Sequence, residues 1–510
     1  MSRKVFYVTT PIYYVNDVPH IGHGYSTIIA DVMARYKRFT GHDVLFLTGT
    51  DEHGQKVEKA ARERGLSPQE HCDLMVGPWR ALWDRLNITY DDFIRTTQDR
   101  HEKVVQHIFQ ALYDKGDIYK GFYEGWYCIH EETFYPESQL VGGCCPECGR
   151  EVEWLKEESY YFRTSKYQDE LLQYIKDNPE FVQPDFRRNE VVSFIESGVQ
   201  DISVSRTTFK WGIPVPFDPE HVIYVWFDAL INYLTGSGYL QDEKKFHTYW
   251  PADIHVIGKD IIRFHAVIWP IMLLALGIEL PKKILATGFW TLGGEKISKS
   301  KGIVVDPNQL IEEYGEDTIR YFLLREISIG LDGEFTQEAV VRRINGDLAN
   351  DLGNLVHRTV AMMMKYFDGV IPQAGPLGPL EEDLKKEALG LAGLIDDAIN
   401  RVDVREALVQ IWRVIGKSNK YIDEAAPWAL AREGETERLN TVMRTLLEAI
   451  RVIAVLVYPV MPTTAAKIWD QLGQAGFESL SIEEAKSWDR LAQGTSVKKA
   501  PPIFPRIETE

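Results

Sequence analysis

The strand–helix–strand pattern of residues 5–54, and its return at residues 253–290, constrain this chain more than any other feature. "VFYVTT" (5–10) reads as a buried strand. Tyr25, Ile28, Ile29, Val32 and Tyr36 then recur at helical spacing, and "DVLFLTGTDEHG" (43–54) is a second strand running into a polar loop. "DIHVIGKD" (253–260), an apolar helix from Ile261 to about Leu276, and "KILATGFW" (283–290) repeat the order. Strands joined through helices must lie parallel, and ligands of such sheets sit beyond the carboxyl ends of the strands. His20, His23 and Asp51 fall at those ends.

The fold class expected is therefore multidomain α/β: a Rossmann-type parallel-sheet catalytic domain, an inserted connective module and a C-terminal all-α helical bundle. The divisions are 1–115 and 221–290 for the two halves of the catalytic domain. Residues 116–220 form the insertion, rich in aromatic residues, glycine and cysteine ("GDIYKGFYEGWYCIHEETFYPE", "GGCCPECGREVEW"). Residues 291–346 form a lysine-bearing loop and linking region. From 347 to 510 long apolar stripes at helical spacing predominate, with Pro427, Pro459 and Pro462 ending elements.

A chain of 510 residues, 45% hydrophobic, exceeds what one core serves. Its longest apolar run, "AVIWPIMLLALGI" (266–278), falls short of the ~20 residues that span a bilayer. The start "MSRKVFYVTT" carries no signal core, so a cytosolic protein is expected. The net charge of −18 argues against a generic polyanion binder but leaves room for a local basic track. Four of the five cysteines, Cys128, Cys144, Cys145 and Cys148, cluster. In a long intracellular chain such a cluster points to a metal knuckle rather than a disulfide framework.

Two short motifs carry the chemistry. In "PHIGHG" (19–24), two histidines flank a glycine where a helix begins. A glycine there lets backbone approach a ligand, and a helix N-terminus with imidazoles favours anions such as phosphates. In "LGGEKISKSKG" (292–302), three lysines lie within six residues of a glycine-flanked loop. Mobile point charges of that kind suit the charge developing on a departing pyrophosphate.

With those motifs the strings "TTPIYYVNDVPHIGHGYSTIIADVMARYKR", "LTGTDEHGQK", "YVWFDALINYL", "IGKDIIRFH" and "NKYIDEAAPWAL" extend along nearly the whole chain, which thereby resembles the methionyl-tRNA synthetases, a family of class I aminoacyl-tRNA synthetases. The resemblance implies ATP as substrate with Mg2+, methionine as the amino acid, tRNA(Met) as acceptor, and ligation by way of methionyl-adenylate. It implies that His20, Gly22 and His23 cradle the triphosphate, Lys296 and Lys299 close over it, and Asp260 holds the ribose. Asp51 would receive the substrate ammonium, and Ile12, Tyr14, Trp226, Ala229, Tyr233 and His265 would enclose the methionine side chain. Arg206 matches an active-site arginine. Asn354 and Arg358, four apart on one helix, and Trp428 match positions that contact anticodon bases. Ile297 departs from the family, whose loop has methionine there; the change is apolar for apolar.

"CPEC" (145–148) has the spacing of a zinc half-site, and the family pairs it with a second C-x-x-C. Here that half reads "CIHE", with Cys128 present and Glu131 where a cysteine would stand. Cys128, Cys145 and Cys148 are the candidate ligands, the fourth being His130, Glu131 or Cys144, or the metal being lost. A monomer without a membrane partner is expected. Two other readings stand beside the first: a class I synthetase for another amino acid, and an inert RNA-binding relative.

Overall fold

The computed structural model describes residues 4–131, 133–297 and 305–508. Six parallel strands form the central sheet, in the order Asp92–Arg95, Asp43–Asp51, Val5–Tyr14, Ile254–Gly258, Ile284–Thr287, Val182–Gln183. The two halves of the sequence pattern meet where Val8 pairs with Ile254 and Thr9 with His255. The sixth strand, Val182–Gln183, comes from within the segment read as the insertion.

Alternation along the strands splits the core in two. Phe6, Val8, Val44, Phe46 and Val256 face the helix Ile21–Phe39, and this core runs on without a break into the C-terminal helices through Leu391, Ile415, Leu446 and Ile453. Tyr7, Leu45, Leu47 and Ile257 face the other way, against Val105, Phe109, Trp269 and Leu273.

A buried ion cluster fastens these layers. Asp31, wholly buried on the helix Ile21–Phe39, accepts from Arg35 Nε at 2.8 Å and Arg320 Nη2 at 2.7 Å. Arg320 also donates to the carbonyls of Leu86, Pro459 and Val460. Burial alone would raise the Asp31 carboxyl, but the two guanidinium groups outweigh it and hold it below the usual range. Removing Asp31 would strand two buried cations, a loss of about 3–5 kcal/mol.

The insertion carries a four-stranded antiparallel sheet, ordered Thr133–Tyr135, Ile118–Cys128, Glu153–Phe162, Ile202–Ser203, with a small core of Cys128, Tyr135, Cys145 and Val152, and two helices, Gln168–Asp177 and Asp185–Glu196, on either side of Val182–Gln183. The apolar stretch after Asp260 is not one α-helix. A π-helical turn at Phe264–Ile268 precedes the α-helix Trp269–Leu276, because Pro270 has no N–H to give the Ala266 carbonyl and the chain winds wider there. Pro427 and Pro462 begin helices, Pro427–Glu433 and Pro462–Gln471, at the first-turn position where the missing N–H costs nothing. No helix among the described residues is long and apolar enough to cross a membrane.

Candidate active site

The helix Ile21–Phe39 starts beyond the carboxyl end of the first strand, and two imidazoles cap it. His20 is the N-cap, in extended backbone, and its Nδ1 accepts the Gly22 N–H at 3.1 Å. His23 Nδ1 in turn accepts the His20 N–H at 3.2 Å. This is a reciprocal capping box made of two histidines in place of the usual hydroxyl and carboxylate. Each Nδ1 acts as acceptor, so each neutral ring carries its proton on Nε2, the donor form that suits an anion.

The two rings stack at 3.7 Å, and His23 rests edge-on against Tyr13 and tilted against Trp79. Gly22 serves this arrangement directly: a Cβ there would lie 3.0 Å from His20 Cε1 and 3.1 Å from its Nδ1. The missing side chain makes room for the imidazole, a requirement that the sequence motif did not suggest.

Asp51 ends the neighbouring strand, is 3% exposed and lies opposite Tyr14 in register. Half-buried Ile12 pairs with Gly49, past an irregularity in the same ladder. Trp226 and buried Ala229 lie on the short helix Val225–Leu230. The Trp226 ring stacks on Phe264 at 3.9 Å and meets Tyr14 and His265 edge-on at 6.5 Å.

His265 is fully engaged. Its Nδ1–H donates to the Ile261 carbonyl at 3.0 Å, so its Nε2 accepts from the Tyr233 hydroxyl at 2.7 Å. Burial pushes its pKa down to about 4, which keeps the ring neutral. The resulting wall is aromatic and polarizable, and carries no net charge.

Beneath this wall runs a network that the sequence reading passed over. Buried Asp228 takes His53 Nδ1 on one oxygen at 2.6 Å and His101 Nε2 on the other at 2.7 Å. Burial would raise the carboxyl, yet the two imidazoles hold it low; burial likewise works to lower His53, and Asp228 raises it instead. Glu52 is gripped by Arg95 through two hydrogen bonds, of 2.7 and 3.0 Å, and by the hydroxyls of Thr50 and Thr97. "DEH" (51–53) thus anchors the strand end to the helix bearing Trp226. The signal was available: Asp228 stands alone in the apolar run "VWFDALI", where a buried carboxylate demands partners.

Asp260 is exposed on the turn Lys259–Ile261, just beyond the strand Ile254–Gly258 and at the same sheet edge. Lys296 ends a hairpin in which Thr291 pairs with Lys296 across Gly293 and Gly294, both at positive φ as a tight turn requires. Ile297 is 2% exposed and packs into the main core, consistent with its apolar replacement. Lys299 lies outside the described residues.

Arg206 is buried within the insertion's return segment, donating to Ser203 Oγ at 2.7 Å, with its guanidinium over Tyr224 at 4.3 Å and Phe134 at 5.2 Å. Tyr224 directly precedes the Trp226 helix, so Arg206 couples the insertion to that aromatic cluster. Asn354 begins the helix Asn354–Phe367, and Arg358 pairs there with Asp423 at 2.9 Å. Trp428 is 45% exposed, a large area for an indole.

In the insertion Cys128, Cys145 and Cys148 place their sulfurs within 4.8 Å of one another, all as free thiols. The Cys128–Cys148 sulfur separation of 3.5 Å is close to the roughly 3.8 Å edge of a tetrahedron with 2.3 Å zinc–sulfur bonds. His130 and Glu131 form a second group with Cys148, within 4.8 Å of one another, so that Cys148 is shared between it and the three-sulfur cluster. Cys144 is not in the cluster among the described residues. The donor set fits zinc.

The family model described as tRNA synthetases class I (M) matches residues 6–153 and 148–360, and that of the anticodon binding domain of methionyl tRNA ligase matches 371–510. The methionine–tRNA ligase of Caldanaerobacter subterraneus subsp. tengcongensis is 53% identical over 100% of this chain and 80% of its own length; that of Clostridium tetani is 51% identical with the same coverage. Among solved structures, Mycobacterium tuberculosis methionyl-tRNA synthetase in complex with methionyl-adenylate superposes with TM-score 0.95 at 45% identity, covering 99% of this chain and 100% of that one. The free-state form of that enzyme gives TM-score 0.88 at 42% identity, covering 100% and 99%.

Proposed function

Because the chain belongs to the class I methionyl-tRNA synthetases, we propose that the residues at the carboxyl edge of its sheet divide a two-step ligation among them. A carboxylate oxygen of methionine attacks the α-phosphorus of ATP, the bond to the β-phosphate breaks, and pyrophosphate leaves methionyl-adenylate behind. The terminal ribose hydroxyl of tRNA(Met) then attacks the acyl carbon and AMP departs. Neither step needs a side-chain nucleophile; positioning and charge stabilisation carry the rate.

His20 and His23 present their Nε2–H groups to the triphosphate, above the positive end of their helix and beside Gly22. Lys296 and Lys299 add charge against the leaving pyrophosphate. Asp260 takes the ribose, Asp51 the ammonium group, and Arg206 fixes the pocket wall from the insertion side. Mg2+ accompanies the triphosphate. Asn354, Arg358 and Trp428 read unpaired anticodon bases by hydrogen bonding and stacking. The segments 1–115, 116–220, 221–290, 291–346 and 347–510 act as catalytic halves, connective module, loop region and anticodon domain of a cytosolic monomer. Cys128, Cys145 and Cys148, with a ligand from His130 or Glu131, hold a structural zinc that staples the module's tip.

The saturated His265 carries the substrate reading. Both of its nitrogens are engaged within the protein, so the wall formed with Ile12, Tyr14, Trp226, Ala229 and Tyr233 suits an apolar, polarizable thioether rather than a hydroxyl or amide. Such a pocket separates neighbours differing by a methylene by only about 1–3 kcal/mol, so homocysteine and norleucine compete. Exchange of labelled pyrophosphate into ATP, run without tRNA across the twenty amino acids, is expected with methionine alone. Exchange driven by a different amino acid overturns the pocket assignment, and none in folded protein overturns the catalytic one.

A further inference from the structure

The Glu131 N–H donates to Cys128 Sγ at 3.4 Å, which folds residue 131 back onto that sulfur. Residue 131 follows Cys128 by three, the spacing at which Cys148 follows Cys145.

We propose that Glu131 is the fourth zinc ligand, giving a site of three thiolates and one carboxylate, with His130 as its orienting partner. The proposal rests on the zinc reading above. His130 Nδ1 and Glu131 Oε1 lie 2.6 Å apart, the imidazole N–H donating to the carboxylate. That contact holds one carboxylate oxygen and directs the other, the role that outer partners of metal ligands commonly fill. Carboxylate oxygen binds zinc at about 2.0–2.2 Å and satisfies a tetrahedral site with three sulfurs. Glu131 is one-third exposed, against fully buried Cys128, so the oxygen ligand sits at the open side of the knuckle. An oxygen donor in place of a fourth thiolate removes one oxidisable sulfur and makes this side the point of metal exchange.

The test is zinc-edge X-ray absorption on the unmodified full chain, paired with zinc release to a chromogenic chelator from Glu131→Ala and His130→Ala. Three sulfurs and one oxygen, without the outer-shell scattering of an imidazole, are expected. Release from Glu131→Ala should be at least about tenfold faster than from His130→Ala, because losing a ligand weakens binding more than losing its partner. Imidazole scattering, four sulfurs, or faster release from His130→Ala would overturn the assignment while leaving zinc in place. Chain purified without metal that takes up neither zinc nor cobalt would overturn the zinc reading itself.

Discussion

Substituting Gly22 by alanine sets local propensity against site geometry. In the first turn of a helix, alanine gains up to about 1 kcal/mol over glycine. The added Cβ would meet the His20 ring at 3.0–3.1 Å, tighter than most such contacts, and the ring is held by the Gly22 N–H on one side and stacked on His23 at 3.7 Å on the other. His20 must shift by a few tenths of an ångström, which misaligns its Nε2–H and weakens a cap worth about 1 kcal/mol. The two terms nearly cancel, so Gly22→Ala should melt within a few degrees of the parent. The phosphate donors do not cancel: displacing one aligned donor from a developing anion costs about 100-fold, or about 2.7 kcal/mol of activation free energy. The assay is methionine-dependent pyrophosphate exchange at saturating ATP beside a thermal melt. An unchanged exchange rate would refute the role given to the imidazole cap. A loss of stability above about 3 kcal/mol would show that the glycine serves the fold instead.

Other outcomes follow from the same structure. Asp51→Asn should keep the fold and lower exchange by at least about 1000-fold, since it removes a buried charge matched to an ammonium group; near-normal exchange would end that assignment. Trp428→Ala should leave exchange intact and raise the KM for tRNA by the roughly 1–3 kcal/mol of a lost stacking contact, and equal loss of both activities would argue against an anticodon role. For His265 the folded pKa of about 4 lies below the ordinary 6.5, so the unfolded chain binds more protons between those values. Its contribution is therefore complete above about pH 6.5 and is lost as pH falls toward 4, at up to about 1.4 kcal/mol per unit. Denaturant unfolding at pH 7 and pH 5 should show a shallower pH dependence in His265→Gln than in the parent.

The sequence pattern alone determined the parallel sheet, its division into two halves and the helical C-terminal region, because strands buried on both faces leave short continuous apolar runs and amphipathic helices a period of 3.6. The two short motifs are the basis of the proposed anion site, since chemistry of that kind is carried by residue type at close spacing. What only the tertiary structure decided was how distant residues meet. The His53–Asp228–His101 bridge joins positions far apart in the chain, and nothing in the strings around them specifies the pairing. Likewise Pro270 turned an expected helix into a π-turn that aims His265 at Tyr233, and Val182–Gln183 left the insertion to edge the main sheet. Gly22 is the instructive case: the motif offers it as a point of close backbone approach to a ligand, and the structure adds that a Cβ there would crowd its neighbour's imidazole. A local string reports what each residue can do, but packing in three dimensions selects which partner satisfies it.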